Sequence, residues 1–275
     1  MKFRWLATLA AGLAVFGTAV HADQLADIKK KGELVVGVLG TDEPNSYIDA
    51  KTRELVGYEV DLGRAVAQKI GVKPVFKQIT LAARIPELQQ GHVDLLAASL
   101  THNKEREAQI DFSVTTFVAN QQVMVKANSP FKDVPDLAGK RVATAKGSSM
   151  EVNIKKAVPT VTVISYDTSP QALVAMQQGK AVAFVNEDQS LARALVAMGA
   201  QRKDYRLLPT TISAESLALG IKKGETGLKK VVDDTLRELE STGKAQALYD
   251  QHFGSKSPLK MGQRQFKMES DQITE

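Results

Sequence analysis

The 275-residue chain contains no cysteine, so disulfides and a lipid on an N-terminal cysteine are both excluded. Aromatic residues make up only 5%, and the 36 basic residues are scattered rather than gathered in a block with aromatics between them. No nucleic-acid-binding face is expected, and the formal charge of +5 reads as a mild surface bias. The four histidines, His21, His92, His102 and His252, are dispersed, and no HExxH, CxxC or EF-hand spacing occurs, so no metal site is expected. G-x-S-x-G, GxxxxGK[ST] and a helix-opening GxGxxG are missing too, which argues against a hydrolase elbow and a nucleotide cradle; no cofactor is expected. Low-complexity tracts and internal repeats are absent.

One long apolar run is present. MKFRWLATLAAGLAVFGTAVHA carries Lys2 and Arg4, then 16 uncharged residues from Trp5 to Val20, and closes on small residues around Val20-His21-Ala22. This reads as a secretory signal peptide over residues 1–22; the run is short for a spanning helix, and no other stretch approaches that length. Without Lys2 and Arg4 the balance is 34 basic against 31 acidic residues, a charge of +3. A soluble exported protein retained in a Gram-negative periplasm fits these features.

Past the leader, 43% hydrophobic and 24% charged residues are ordinary for a globular protein of one large or two ordinary domains. Strand and helix alternate. Leu34–Val38 is a continuous apolar run, as in a strand buried on both faces, and residues 60–72 repeat apolar positions at helical spacing before Gly71. Strands are expected at 74–79, 95–98, 121–127, 141–145, 161–166 and 216–223, with helices between, which argues a parallel sheet covered by helices. Residues 226–253 read as a long helical stretch interrupted near Gly243, and the polar residues after Ser255 as a loosely held tail. RIPELQQGHVDLLAAS and PQALVAMQQGKAVAFVNED share one plan: helix, glycine, strand, polar cluster. Two α/β halves each offering a polar strand end imply a cleft between them.

Several residues could serve such a cleft. In SLTHNKEREAQIDFS, Arg106 follows small hydroxyls, and a guanidinium matches a carboxylate with two parallel hydrogen bonds. The same pattern would also start an exposed helix. Gly147-Ser148-Ser149 follows a strand and opens a helix, an arrangement that suits an anion and also a plain cap.

The segments GELVVGV, LVGYEVDLGRAVAQKIGV, RIPELQQGHVDLLAASLTHNKEREAQIDFS, DLAGKRVATAKGSSMEV and ALVAMQQGKAVAFVNED resemble, in order and spacing, the periplasmic amino-acid-binding proteins of ABC importers, solute-binding family 3. RIPELQQG, the His-Asn before Lys-Glu-Arg, FSVTTF and GKAVAF look most like the glutamate/aspartate-binding branch. The resemblance implies a two-lobed α/β periplasmic binding protein of type II with two crossover strands near 117–121 and 209–215. Lobe 1 would comprise 23–118 with 214–254, lobe 2 residues 119–213, and the tail 255–275. It also implies a monomer that takes an amino acid between closing lobes and delivers it to the permease subunits of the transporter.

By the same resemblance Arg106 holds the ligand's α-carboxylate, with Ser99, Thr101, Ser148 and Ser149 completing the grip. Glu187 or Asp188 pairs with the α-ammonium, and Arg84 reaches a side-chain carboxylate. The chain departs from the acidic-ligand pattern in four places. Leu39 or Gly40 stands where a basic residue is expected, Thr168 for a histidine, Asn45 after Pro44 for a phenylalanine, and Leu81 for an aromatic. The implied ligand is a polar amino acid, acidic ones included. An alternative on the same scaffold is a cyclohexadienyl dehydratase-like enzyme, with Glu187 as general acid.

Overall fold

The structure, a computed structural model, describes residues 24–274; the stretch read as a signal peptide lies outside them. The chain enters through α1 (Gln24–Lys31) and β1 (Glu33–Val38). A small antiparallel sheet of β2 (Thr41–Asp42), β3 (Ser46–Ile48) and β4 (Leu55–Val56) follows, a feature whose short strands carry no readable period. Next come α2 (Tyr58–Ile70), β5 (Lys73–Gln78), α3 (Arg84–Gln89), β6 (Leu95–Leu96) and α4 (Lys104–Glu107). In this half β1 pairs in parallel with β5 and β6.

The strand β7 (Ile110–Lys126) then carries the chain away over 17 residues, about 55 Å of extended backbone. The second half holds β8 (Arg141–Ala145), α5 (Met150–Ala157), β9 (Thr162–Tyr166), α6 (Ser169–Gln177), β10 (Ala183–Glu187), α7 (Asp188–Ala197) and β11 (Tyr205–Leu207). There β8 is parallel to β9 and β10. The strand β12 (Ser213–Lys222) returns to the first half, which α8 (Thr226–Ser241) and α9 (Lys244–His252) complete; Gly243, at φ +74°, makes the break between them.

The expected parallel sheet therefore holds within each half. It is interrupted where β7 leaves and β12 returns, because strands running in opposite senses side by side must pair antiparallel. The order is β5-β1-β6-β12-β7-β10-β8-β9. Sequence reading found only the far end of β7. Residues 110–120 carry Ser113, Thr115 and Thr116, all buried, whose hydroxyls bond within the sheet: Ser113 Oγ to the Leu219 amide, Thr115 to Ser216 Oγ, Thr116 to the Leu217 carbonyl. Satisfied internally, these polar residues do not mark a surface.

Separate cores lie on either side of the crossovers. Leu34, Val36, Leu62, Leu219 and Val232 pack in the first half; Val123, Val142, Ile154 and Val185 pack in the second. The expectation of a loose tail is overturned. Phe266 is 6% exposed and Met268 fully buried, and Arg264 makes a two-pronged pair with Glu240 at 2.5 and 2.6 Å, beneath the first half's helices. The polar composition of the tail hid two apolar anchors and one buried ion pair.

Candidate ligand-binding cleft

Four strand ends converge between the halves. From the first half, β1 runs out into Leu39 and Asp42, and β6 into Ser99 and Thr101. From the second, β8 runs into Gly147-Ser148-Ser149, and β10 ends on Glu187. Asp42, Arg84, Ser99, Thr101, Ser148, Ser149 and Glu187 line one cavity there. Its volume is about 20 Å³, room for about one water. A neighbouring chamber of about 200 Å³ shares Asp42, Ser169, Asn186 and Ser190 with it and has Leu173 and Phe184 in its walls.

Arg84 is 2% exposed, and its fork is held by backbone. Nε donates to the Leu81 carbonyl at 2.9 Å, Nη1 to those of Ala98 and Ser99 at 3.0 and 2.6 Å, and Nη2 across the cleft to Gly147 at 2.8 Å. Burial, then the charge of Arg106, brings its pKa down to about 9. Arg106 starts from α4, where Asn103 Oδ1 caps its amide at 2.9 Å. Its guanidinium bridges the halves: Nη1 donates to the Thr101 carbonyl at 3.1 Å and Nη2 to Gly147 at 3.3 Å. It is not among the residues that line the cavity, but its fork shares the Gly147 carbonyl with that of Arg84, which is.

Gly147 has to be glycine. Its φ is +81°, and a Cβ there would sit 2.8 Å from Ala82 Cα of the opposite half. The next two hydroxyls differ in role. Ser148 Oγ turns inward to the Ala145 carbonyl at 2.6 Å. Ser149 Oγ accepts from Gln121 Nε2 at 2.9 Å and donates to Glu215 at 2.5 Å, and Thr101 Oγ1 donates to the same carboxylate oxygen at 2.5 Å. Each hydroxyl has one proton, so both face a ligand with lone pairs, as acceptors. The amides that open α5 remain as donors, since the first turn of a helix has no partner for them.

Ser99 is strained, at φ +47°. Its amide donates to Glu59 Oε1 at 2.7 Å, and its hydroxyl donates to Asp42 at 2.5 Å. The two acids at the end of β10 separate clearly. Glu187 is 4% exposed, lines the cavity and accepts from Gln189 Nε2 at 2.5 Å. Burial, with Asp42, Glu215, Asp188 and Glu59 nearby, pushes its carboxyl well above the usual range. Asp188 turns to the first crossover instead and accepts from the amide and side chain of Asn120 at 3.2 and 2.9 Å.

Three acids were missed. Asp42 accepts from Ser99, from Asn45 Nδ2 at 3.0 Å and, across the cleft, from Ser190 Oγ at 3.2 Å. Its place after the first strand was the available signal. Glu59, in the first turn of α2, is buried with one carboxyl oxygen unpartnered, and burial followed by the charge of Asp42 raises its pKa to about 8. Glu215, on β12, receives Thr101, Ser149 and, at 2.5 Å, Asn153 Nδ2. Both glutamates sit in patterns that read as ordinary helix and strand. Of the departures from the acidic-ligand pattern, Leu39 and Leu81 line the cavity, Thr168 caps α6, and Asn45 supports Asp42.

Among the described residues no helix is long and apolar enough to cross a membrane. Residues 34–255 match the pattern of bacterial extracellular solute-binding proteins, family 3. The glutamate/aspartate import solute-binding protein of Salmonella typhimurium is 30% identical over 276 residues, covering 96% of this chain and 91% of that one. An ancestral arginine-binding protein solved with arginine gives a TM-score of 0.76 at 31% identity, over 81% of this chain and 99% of that one. An ancestral amino acid-binding protein described as a precursor of cyclohexadienyl dehydratase gives 0.76 at 28%, over 84% and 99%. The matched span takes in both halves, both crossovers and the convergence of strand ends, and the chain belongs to family 3 of the bacterial extracellular solute-binding proteins, with their two-lobed, type II periplasmic fold.

Proposed function

We propose that this chain is the capture component of an amino-acid ABC importer, exported by residues 1–22, working in the periplasm as a soluble monomer and handing its ligand to the membrane permease. Lobe 1 is taken as 23–118 with 214–254 and lobe 2 as 119–213. The observation that carries the reading is the pair Arg84 and Arg106, reaching from one half to the Gly147 carbonyl of the other beside a cavity lined by Asp42 and Glu187.

A zwitterion suits these groups. Its carboxylate is matched by the Arg106 fork and the amides opening α5, each charge-assisted bond contributing about 1.5–3 kcal/mol. Its ammonium is matched by Glu187 and the lone pairs of Thr101 and Ser149. Two or three such contacts, together with desolvation in the closed cleft, supply micromolar affinity, about −8 kcal/mol. Because each set draws groups from both lobes, ligand shifts the population toward closure. Four of the five Arg84 N–H groups are already on carbonyls, whereas Asp42 offers a carboxylate to the side chain. That favours a side chain with a donor, an amide or a cation, over a second carboxylate.

A thermal-shift screen of the twenty amino acids tests this, since ligand raises the melting midpoint by mass action. Glutamine or arginine is expected to give a larger shift than glutamate or aspartate. Arg106→Ala is expected to abolish the shift and leave the ligand-free midpoint in place. No shift with any amino acid, or a full shift in the variant, refutes the assignment.

Glu187 also supports a second reading, because a buried carboxyl holding its proton is what a dehydratase uses as general acid. Phenylalanine formed from arogenate by the purified protein would establish it; none formed leaves the binding role.

A further inference from the structure

The docked tail runs up to the backbone beside the ligand site. Residues 256–274 lie beyond the matched family span, yet they run under α8 and α9 and then along both crossovers. The route is anchored in steps. Phe266 packs 5.0 Å, ring centre to ring centre, from Phe117 of β7. The Thr115 amide of β7 donates to the Ser270 carbonyl at 3.1 Å, and the Gln272 amide donates back to Thr115 Oγ1 at 3.1 Å. The Thr274 amide donates to the His102 carbonyl at 2.8 Å, and Thr274 Oγ1 accepts from the Ser216 amide at 2.9 Å. The His102 amide donates to the Ser216 carbonyl at 2.8 Å, and Thr274 braces that junction from its open side, touching two segments not adjacent in sequence, each one residue from a cleft group. His102 follows Thr101; Ser216 follows Glu215. Asn103, which caps Arg106, forms an isolated parallel bridge with Thr274 as well.

We propose that the tail is a strap that positions the ligand site. By pinning the His102–Asn103 turn against β12, Thr274 sets Glu215 at hydrogen-bonding distance from Thr101, Ser149 and Asn153, and holds the turn from which Arg106 reaches the cleft. Glu215 draws its partners from both halves, so a slip at Ser216 disturbs contacts on both sides of the cleft. Thr274 is a positioning residue; it touches no cavity-lining group itself. The affinity consequence rests on the function proposed above, whereas the positioning itself does not.

The test uses the full chain and Thr274→Val, which keeps the shape and removes the acceptor, with Thr274→Ser as the conservative control and Gln272→Pro, which removes the other tail amide. Amide hydrogen exchange without ligand is read first. Faster exchange spreading to residues 99–106 and 213–217 in Thr274→Val and Gln272→Pro, and not in Thr274→Ser, supports the strap; faster exchange confined to the tail overturns it. Titration with L-glutamine, L-arginine and L-glutamate is read second. For any of these that the unmodified chain binds, Thr274→Val is expected to weaken affinity about five- to tenfold, about 1–1.4 kcal/mol, mainly through faster release. Unchanged affinity beside a lowered melting midpoint shows a merely structural tail and also overturns the strap. If the unmodified chain binds none of the three, the proposed function fails, while hydrogen exchange still decides the strap.

Discussion

Arg84 Nη2 lies 2.8 Å from the carbonyl oxygen of Gly147, and through that one bond a buried guanidinium of the first half touches the second. The contact is close because Gly147 has no side chain: an added Cβ would fall 2.8 Å from Ala82 Cα.

Gly147→Ala should therefore act mainly on closure. Its left-handed φ costs about 1–2 kcal/mol for a residue with a Cβ, and the clash with Ala82 arises only when the halves meet. Ligand affinity is expected to fall at least tenfold. Small-angle scattering should show a particle that no longer contracts at saturating ligand; normal contraction would sink the idea.

Substituting Arg84 distinguishes a clamp from a specificity residue. With its fork on four backbone carbonyls, Arg84→Lys is expected to weaken glutamine and glutamate binding by similar factors, about ten- to hundredfold for one or two lost charge-assisted bonds. Calorimetry with both ligands settles the point. A loss confined to glutamate restores the role expected from sequence resemblance.

Proton uptake and release report on Glu187. Its buried carboxyl holds a proton at a pH where an exposed one would not. An ammonium arriving beside it favours the carboxylate, so ligand binding should release a proton, and affinity should rise as pH rises above the ordinary carboxylate range. Calorimetry in two buffers of different ionisation enthalpy measures the release, and Glu187→Gln should remove it.

Glu59 makes a different pH prediction, about the fold itself. Its pKa rises from 4.5 unfolded to about 8 folded, so the native state binds the extra proton between these limits. Stability from this group is complete below pH 4.5 and is lost as pH rises toward 8, with a slope of at most about 1.4 kcal/mol per pH unit. Denaturant titrations across that window should show the decline, and Glu59→Gln should flatten it.

Much of this was legible in the residues. Periodicity placed β1, β8, α2, α5 and the break at Gly243 to within a few positions, because local apolar spacing is set by burial against one sheet. Gly147-Ser148-Ser149 and Arg106 could be singled out because strand–turn–helix junctions and guanidinium forks have chemistry of their own.

What sequence could not rank was the set of acids. Glu187 and Asp188 are neighbours in the chain, yet one enters the cavity and the other clasps Asn120, since consecutive residues leaving a strand point in different directions. Asp42, Glu59 and Glu215 became visible only when four strand ends were brought together, and the tail's role only when Thr274 met Ser216. The alternating elements, the two-half plan and the chemical character of the cleft can be read from the residues, because these follow from local patterns. Which carboxyls face inward, which arginine bonds are already committed and where the tail docks emerge only in the folded chain, because they depend on contacts between residues far apart in sequence: Ser99 with Glu59, Arg84 with Gly147 and Thr274 with Ser216 are separated by 40, 63 and 58 positions.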